Sequence, residues 1–419
     1  MKHYCVLGAS AAGIHAVRAI RSLDQSAEIT LISEDSAIYS RCILHHYLSG
    51  LKDEQDLSFV PGDFIPRHRV RWLKGARAVS LDCRARRVSL ADGGGESYDA
   101  LLIATGASTA FPPIPGLGAP GCAAGVYGLR VLEDARKIKA AALNAQNILI
   151  LGGGLIGLDA ASGLLGLGRR VTLIEGRNTL LPLQLDERAA RPYQEAFAKL
   201  GGRQFYGVTV REIIRNSAGG LAGASLSNGE SLPCDMIVCA TGVKANTAFL
   251  AGSGIRLDEK GLACNERGET SCEAVYGAGD VSGKSPIWPQ AVKEGIIAGT
   301  NMAGGSAAPG AFFASKSAIS FWGVKTLSLG MHTPPDNSYT VVTEDRGDSY
   351  KKIIHKDGLI YGAVIQGDLS YAGILTQLIA EKIDVSRVKK PLFAIDYSDF
   401  FSLKQNFEFA YVRGGETAL

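Results

Sequence analysis

Asn147–Ala161 reads NILILGGGLIGLDAA, and this stretch decides the fold. The apolar run Ile148 to Leu151 suits a buried parallel strand. It ends in Gly152-Gly153-Gly154-Leu155-Ile156-Gly157, a complete G-x-G-x-x-G, and an amphipathic helix is expected next. The three glycines serve different ends. Gly152 permits the tight turn, Gly154 lets a pyrophosphate approach the backbone, and Gly157 lets strand and helix pack closely. The unpaired N–H groups at the helix start then face the phosphates. Glu175, at the end of the strand VTLIE, is placed to bond both hydroxyls of an adenosine ribose. A membrane span competes with this reading, because Asp159 is the sole charge between Asn147 and Gly168. The glycine density and the acidic strand end argue against it.

With 419 residues, 46% apolar and 20% charged, the chain can bury a sizeable core in two or three domains. A net charge of +3 gives no pointer to nucleic acid, and the start, Met1 to Ala9, runs straight into a strand without a signal pattern. A cytoplasmic protein is expected. The eight cysteines form no C-x-x-C pair, so no disulfide framework, metal site or iron–sulfur site is indicated. Cys234 and Cys239 are expected to be core thiols on opposite faces of one strand.

Tyr4 to Gly13, YCVLGASAAG, repeats the opening logic with Gly8, Ser10 and Gly13 at the three fingerprint positions, Ala11 following the serine, and Glu34 ending the strand ITLISE. Two fingerprints with two acidic strand ends imply two dinucleotides, and a nicotinamide paired with a flavin is the chemically useful combination. A tandem repeat of one domain is the bland alternative. Two further strand ends, LLIATG with Ala104, Thr105 and Gly106, and MIVCATG with Gly242, and the stretch ETSCEAVYGAGDVSG with Gly279-Asp280, add to the signal. Asp280 is placed to accept from a ribityl hydroxyl.

Taken together, GASAAG, IATGA, GGGLIG, CATG and YGAGDV resemble the pyridine nucleotide-disulfide oxidoreductase superfamily, the two-dinucleotide flavoproteins of the glutathione-reductase type. The likeness is greatest to NADH-rubredoxin reductases and the flavoprotein portion of nitrite reductases. It implies an α/β fold with two Rossmann-like dinucleotide-binding domains, for FAD and NAD, plus a smaller α+β C-terminal domain. The FAD domain is expected at 1–112 and 243–305, the NAD(P)H domain at 113–242, the C-terminal domain at 306–412 and a tail at 413–419. The first loop, Glu34, the IATG end and Asp280 then serve FAD. Gly152, Gly154, Leu155, Ile156, Gly157, Glu175 and Gly242 serve NADH, with NADPH disfavoured by Glu175 although Arg177 stands near.

Other motif positions carry over individually. Tyr39-Ser40-Arg41-Cys42-Ile43-Leu44 resembles Y-x-R-P-x-L, which makes Arg41 an FAD contact. Arg130 matches an L-R-x-x-x-D element, and Trp288 and Ala291 match a W-x-x-A-x-x-x-G helix start near the flavin ring, although a packed aromatic explains Trp288 equally well. Leu180-Leu181-Pro182 with Leu185-Asp186 reads as structural.

Departures from the pattern matter as much. His46 stands where relatives carry lysine and Asp159 where they carry glutamate, so a His46–Asp159 contact beside the flavin is one reading and ordinary polar residues, His45 included, the other. Cys42 replaces the motif proline. Beside Arg41 and a flavin edge it is a candidate thiolate, as in single-cysteine NADH oxidases, NADH peroxidases and coenzyme A-disulfide reductases; a small core residue filling a proline's space is the alternative. The catalytic candidates are thus Cys42, His46 and Asp159. Arg67 to Arg87 holds eight basic residues, either a dock for an acidic carrier or a solvated strand face. After the small-residue linker AGGSAAPGA come the runs TVVT and YGAVIQG and one helical stretch, Tyr371 to Lys382.

The expected activity is hydride transfer from NADH to FAD, followed by electron transfer to a protein carrier: rubredoxin, ferredoxin or an iron–sulfur partner subunit. A Cys42-dependent oxidase, peroxidase or disulfide reductase is the first alternative. A flavoprotein subunit or redox-sensing scaffold of a larger complex is the second. No membrane association is expected, and the C-terminal domain is the expected site of a homodimer or heteromeric contact.

Overall fold

In the computed structural model of this chain, His3–Leu7 and Asn147–Leu151 are the middle strands of two five-stranded parallel sheets. The structure describes residues 1–118, 124–284, 286–309, 316–403 and 409–411. They fall into two compact units, Met1–Arg177 with Leu200–Pro309, and Asn178–Lys199 with Gly310–Leu419.

The first sheet of unit one runs in the order Val275–Gly277, Ala100–Ile103, His3–Leu7, Glu28–Ser33, Val70–Lys74. Its central strand is buried on both faces, which is why it reads as an unbroken apolar run. Tyr4 and Val6 point into one core, with Ile14, Val17 and Ile20 of the helix Ala11–Leu23. Cys5 and Leu7 point into another, with Leu81, Val88 and Leu90 of a three-stranded antiparallel sheet. The second parallel sheet runs Arg203–Tyr206, Arg170–Glu175, Asn147–Leu151, Met236–Cys239, Val126–Gly128, with a second antiparallel three-stranded sheet against it. Strands Ala107–Thr109 and Val243–Ala245, just past the two ATG ends, pair antiparallel and tie the halves together. The Thr105 hydroxyl donates to Asn246 O at 3.0 Å, and Asn246 Nδ2 donates back to Thr105 O at 2.9 Å.

Cys234 precedes the strand Met236–Cys239, so strand alternation does not reach it. Both thiols enter one apolar cluster, against the expectation of opposite faces, and burial pushes both up to about 12.

The helix Trp288–Met302 lies on Ala11–Leu23 along a seam of small residues. A Cβ on Gly295 would sit 2.2 Å from Ala12 O, and one on Gly299 2.7 Å from Ala16 O. Gly295 and Gly299 are one helical turn apart, as are Ala12 and Ala16, so two small-residue faces meet backbone to backbone.

Unit two is built on a five-stranded antiparallel sheet, in the order Lys316–Phe321, Val324–Gly330, Leu359–Gln366, Tyr350–Lys356, Thr340–Asp345, covered by the helix Ala372–Ala380. TVVT and YGAVIQG fall in its strands, and the expected helix is present. Asn178–Lys199, inside the span expected for the nicotinamide domain, groups with this unit instead. Buried polar contacts account for that: Tyr193 donates to Ile319 O, and Gln366 donates to Ala189 O at 2.7 Å. Asp186 anchors both ends of the arrangement. It accepts from Ala189 N–H at the start of the helix Glu187–Lys199 and from the buried ammonium of Lys352 at 2.6 Å, which bears out the structural reading of the Leu185-Asp186 motif. Arg413 to Leu419 and the end of the expected linker, Gly310-Ala311, lie outside the described residues. No helix among the described residues is long and apolar enough to cross a membrane.

Ala12 O cannot retreat without moving the helix Ala11–Leu23. Gly295→Ala is therefore expected to destabilise the protein by about 1–3 kcal/mol, read as a fall of several degrees in melting temperature. An unchanged melting curve would mean that the helices do not meet at this distance.

Candidate active site

Both glycine loops sit at the carboxyl end of a central strand, where the backbone must turn and a helix must start. Gly8 has φ 114°, and a Cβ there would lie 2.2 Å from Ala104 O; a Cβ on Gly13 would lie 1.8 Å from Gly8 O. The second loop repeats this: Gly152 has φ 107°, with a virtual Cβ 2.4 Å from Ala240 O, and Gly157 would place one 2.0 Å from Gly152 O. Both ATG strand ends therefore press on a loop, so Ala104 and Ala240 shape the sites through their backbone. Gly154 differs from these four. Nothing lies within 4 Å of a Cβ built on it, so the space above it is open and its lack of a side chain answers to no protein neighbour. That open cradle at a helix N-terminus fits a dinucleotide pyrophosphate. Ser10 occupies the equivalent N-cap position of the first helix, and its hydroxyl makes no capping bond.

The strand-end carboxylates differ in setting. Glu34 is exposed just beyond its strand. Glu175 already accepts from Gly153 N–H at 2.6 Å and from Arg177 N–H at 2.8 Å, which holds its side chain over the second loop.

Arg130 and Asp280, each expected on the FAD side, meet at 2.5 Å, and Arg130 also donates to Ala107 O. Gly279, with φ 79°, presents its N–H to Glu294 at 2.7 Å. Burial holds the Glu294 carboxyl above the usual glutamate range, with bonds from Gln290 and Gly279 opposing. Sequence reading missed Glu294, although a lone acid directly before Gly295 on the W-x-x-A-x-x-x-G face was a usable signal. Asp35 was missed too. It accepts from the Tyr39 hydroxyl at 2.8 Å and from Arg41 at 3.0 Å, and Leu132 N–H donates to that same hydroxyl. Ala291 is buried beside Gly279. Trp288 packs edge-on against Phe59 with ring centroids 4.9 Å apart.

One expectation needs correcting here. Asp159 is met by His45, not His46: His45 Nδ1 lies 2.9 Å from Asp159 Oδ1, while the His46 ring leans on the His45 ring at 4.0 Å. His45 and His46 share a short helix, Leu44–Leu48, and successive residues on a helix point about 100° apart, so only one can face Asp159. Burial holds the Asp159 carboxyl above the usual aspartate range, with the His45 contact pulling it back. At Cys42 the surroundings weigh against a thiolate. The Arg41 guanidinium is turned to Asp35, and the packing around the sulfur with the nearby carboxylates of Asp159 and Asp280 pushes the thiol up to about 12. Part of the residue's surface is nonetheless exposed.

Residues 2–295 match the family model for pyridine nucleotide-disulphide oxidoreductases. The chain belongs to that family. Residues 318–383 match the model for the rubredoxin NAD+ reductase C-terminal domain. Among relatives, NADH-dependent phenylglyoxylate dehydrogenase subunit epsilon of Aromatoleum evansii is 31% identical, over 93% of this chain and 94% of its own length. The nitrite reductase [NAD(P)H] of Bacillus subtilis (strain 168) is 27% identical over 93% of this chain, which spans only 48% of that protein. A NAD-dependent persulfide reductase structure from A. fulgidus superposes with a TM-score of 0.79 at 26% identity, over 91% of this chain and 77% of its own. The chain is an FAD-dependent NAD(P)H oxidoreductase with the two-nucleotide α/β fold of this family.

The Asp159 proton is held more tightly in the folded chain than in the unfolded one. Its contribution therefore weakens the fold as pH rises from the ordinary aspartate pKa, about 4, through the raised value. Asp159→Asn removes this effect. The melting temperature of Asp159→Asn minus that of wild type should climb with pH from about 4 and then level off; a flat difference up to about pH 8 would place the carboxyl in the ordinary range.

Proposed function

We propose that this chain takes electrons from NADH onto FAD and passes them to an iron–sulfur or rubredoxin-type carrier or partner subunit without a thiol relay. A bound FAD would supply the hydride-accepting and single-electron-releasing chemistry. The chain's own part is binding, orientation and electrostatics. The observation that carries this reading is the setting of Cys42: Arg41 is committed to Asp35, and burial around the sulfur with the charges of Asp159 and Asp280 disfavours the thiolate against the pull of Arg130, so the sulfur is a poor nucleophile near neutral pH.

In this proposal residues 1–112 and 243–305 hold FAD. Gly8, Ser10, Ala11 and Gly13 supply the phosphate cradle, Glu34 the ribose contact, and the Arg130–Asp280 pair with Arg41 the polar wall. Residues 113–242, apart from the stretch that joins unit two, hold NADH through Gly154, the start of the helix Leu155–Gly166 and Glu175, whose charge repels a 2′-phosphate. The His45–Asp159 pair, which joins the helix Leu44–Leu48 to the helix Leu155–Gly166, serves in this reading as a flavin-tuning contact. A partner seated on the C-terminal domain is supported by the rubredoxin-reductase C-terminal match at 318–383 and by a relative of nearly equal length that is itself named as a subunit.

The test is steady-state reduction of rubredoxin and of a [2Fe–2S] ferredoxin by NADH, with flavin content measured alongside. Cys42→Ser is expected to keep its FAD and to retain the rate within about twofold. Loss of carrier reduction in a variant that keeps its flavin would overturn the proposal in favour of a thiol enzyme.

A further inference from the structure

Outside the site described above, two of the described cysteines, Cys83 and Cys272, lie in turns that contact each other. Cys83 lies in the turn between strands Ala78–Asp82 and Arg87–Leu90, and Cys272 in the turn before Val275–Gly277. Three contacts hold these turns together. Tyr98 N–H donates to Arg86 O at 3.0 Å, and Leu101 N–H donates to Ala274 O at 2.9 Å, so one short segment, residues 98–101, fixes both turns three residues apart. Arg86 Nη2 reaches Glu273 Oε1 at 3.3 Å across the gap. Arg86 and Ala274 both have left-handed backbone, with φ 49° and 60°, which tightens each turn around its cysteine. Both cysteines pack on the same apolar cluster and both are half-buried, with part of the side chain open to solvent.

In the same cluster lies Tyr98, only 4% exposed, whose hydroxyl has no hydrogen-bond partner among the described residues. An unpartnered buried hydroxyl is costly and unusual. This one lies within electrostatic reach of Cys83, Cys272 and Arg86. It is an unspent donor beside the two sulfurs. The Cys83 thiol hydrogen-bonds the Cys272 sulfur, and burial together with that bond pushes Cys83 up to about 12, so Cys83 is the thiol that keeps its proton and Cys272 the sulfur left to react first.

We propose that Cys83 and Cys272 are a redox-modification site that closes to a reversible disulfide under a peroxide. The Cys272 sulfur attacks hydrogen peroxide, giving a sulfenic acid and one water. The Cys83 thiol then displaces the sulfenic hydroxyl, its proton leaving with that hydroxyl as a second water while the S–S bond forms. Two electrons pass from the sulfur pair to the peroxide, and the two thiol protons end in the waters. Tyr98 is placed to donate to the sulfenic oxygen as that intermediate forms. Both cysteines sit in turns and not in strands, so the movement that closes the bond is taken up by side-chain rotation and the turns and leaves the strand pairing intact. The inference does not depend on the identity of the electron acceptor.

The holoprotein is treated with hydrogen peroxide, alkylated after denaturation and digested. The expected product is a single cross-linked peptide joining Cys83 to Cys272, with loss of two titratable thiols that dithiothreitol restores. The same cross-link is expected in Cys42→Ser and is absent in Cys83→Ser and in Cys272→Ser. Oxidised wild type should also melt above the reduced form, because the bond closes a long loop in the unfolded chain. Recovery of Cys83 and Cys272 as free or separately oxidised residues, at peroxide levels that consume the half-buried Cys264, would overturn the proposal.

Discussion

Twice in this chain a helix starts so close to the strand before it that no side chain fits between them. Gly13 against Gly8 O and Gly157 against Gly152 O are contacts that only a missing Cβ permits. Each loop is pressed from the other side by an ATG strand end, Ala104 on one and Ala240 on the other. These pinches fix where each helix begins, and so where its free N–H groups point. The rest of unit one supports them: parallel sheets buried on both faces, helices brought together through glycine and alanine, and a two-stranded link that joins the halves at Thr105 and Asn246.

Around these loops the charges are arranged in pairs. Arg130 takes Asp280, Arg41 takes Asp35 and His45 takes Asp159. Pairing has a consequence for chemistry. A cation already satisfied by a carboxylate does little to stabilise a thiolate, and Cys42 faces carboxylates without a free cation of its own motif. What the geometry provides is a polar, pre-organised wall, as expected for a cofactor that carries the reacting atoms itself.

Much of this was legible in the residues. Fingerprint glycines are constrained by backbone contact, a local requirement that sequence spacing records faithfully, and the two loops, the ATG ends and the C-terminal sheet all appear where spacing placed them. Side-chain partners were less accessible. That Asp159 meets His45 and not its neighbour depends on the rotation of a helix of five residues, which no pattern that short can specify. The Cys234–Cys239 expectation failed because alternation holds only inside a strand, and the strand begins at Met236. Asn178–Lys199 packs with unit two through buried bonds to residues more than a hundred positions away, such as Tyr193 to Thr326, and spacing carries no trace of these.

The central claim is that two nucleotide loops in one unit bring NADH and FAD to a site whose electrons leave without help from Cys42. Anaerobic titration with NADH, with the flavin spectrum recorded in wild type and in Cys42→Ser, tests it most directly. The account predicts complete flavin bleaching at one NADH per flavin, with the same spectra in both proteins. A long-wavelength band that appears in wild type and is lost in Cys42→Ser would show the thiol in contact with the flavin and would contradict it.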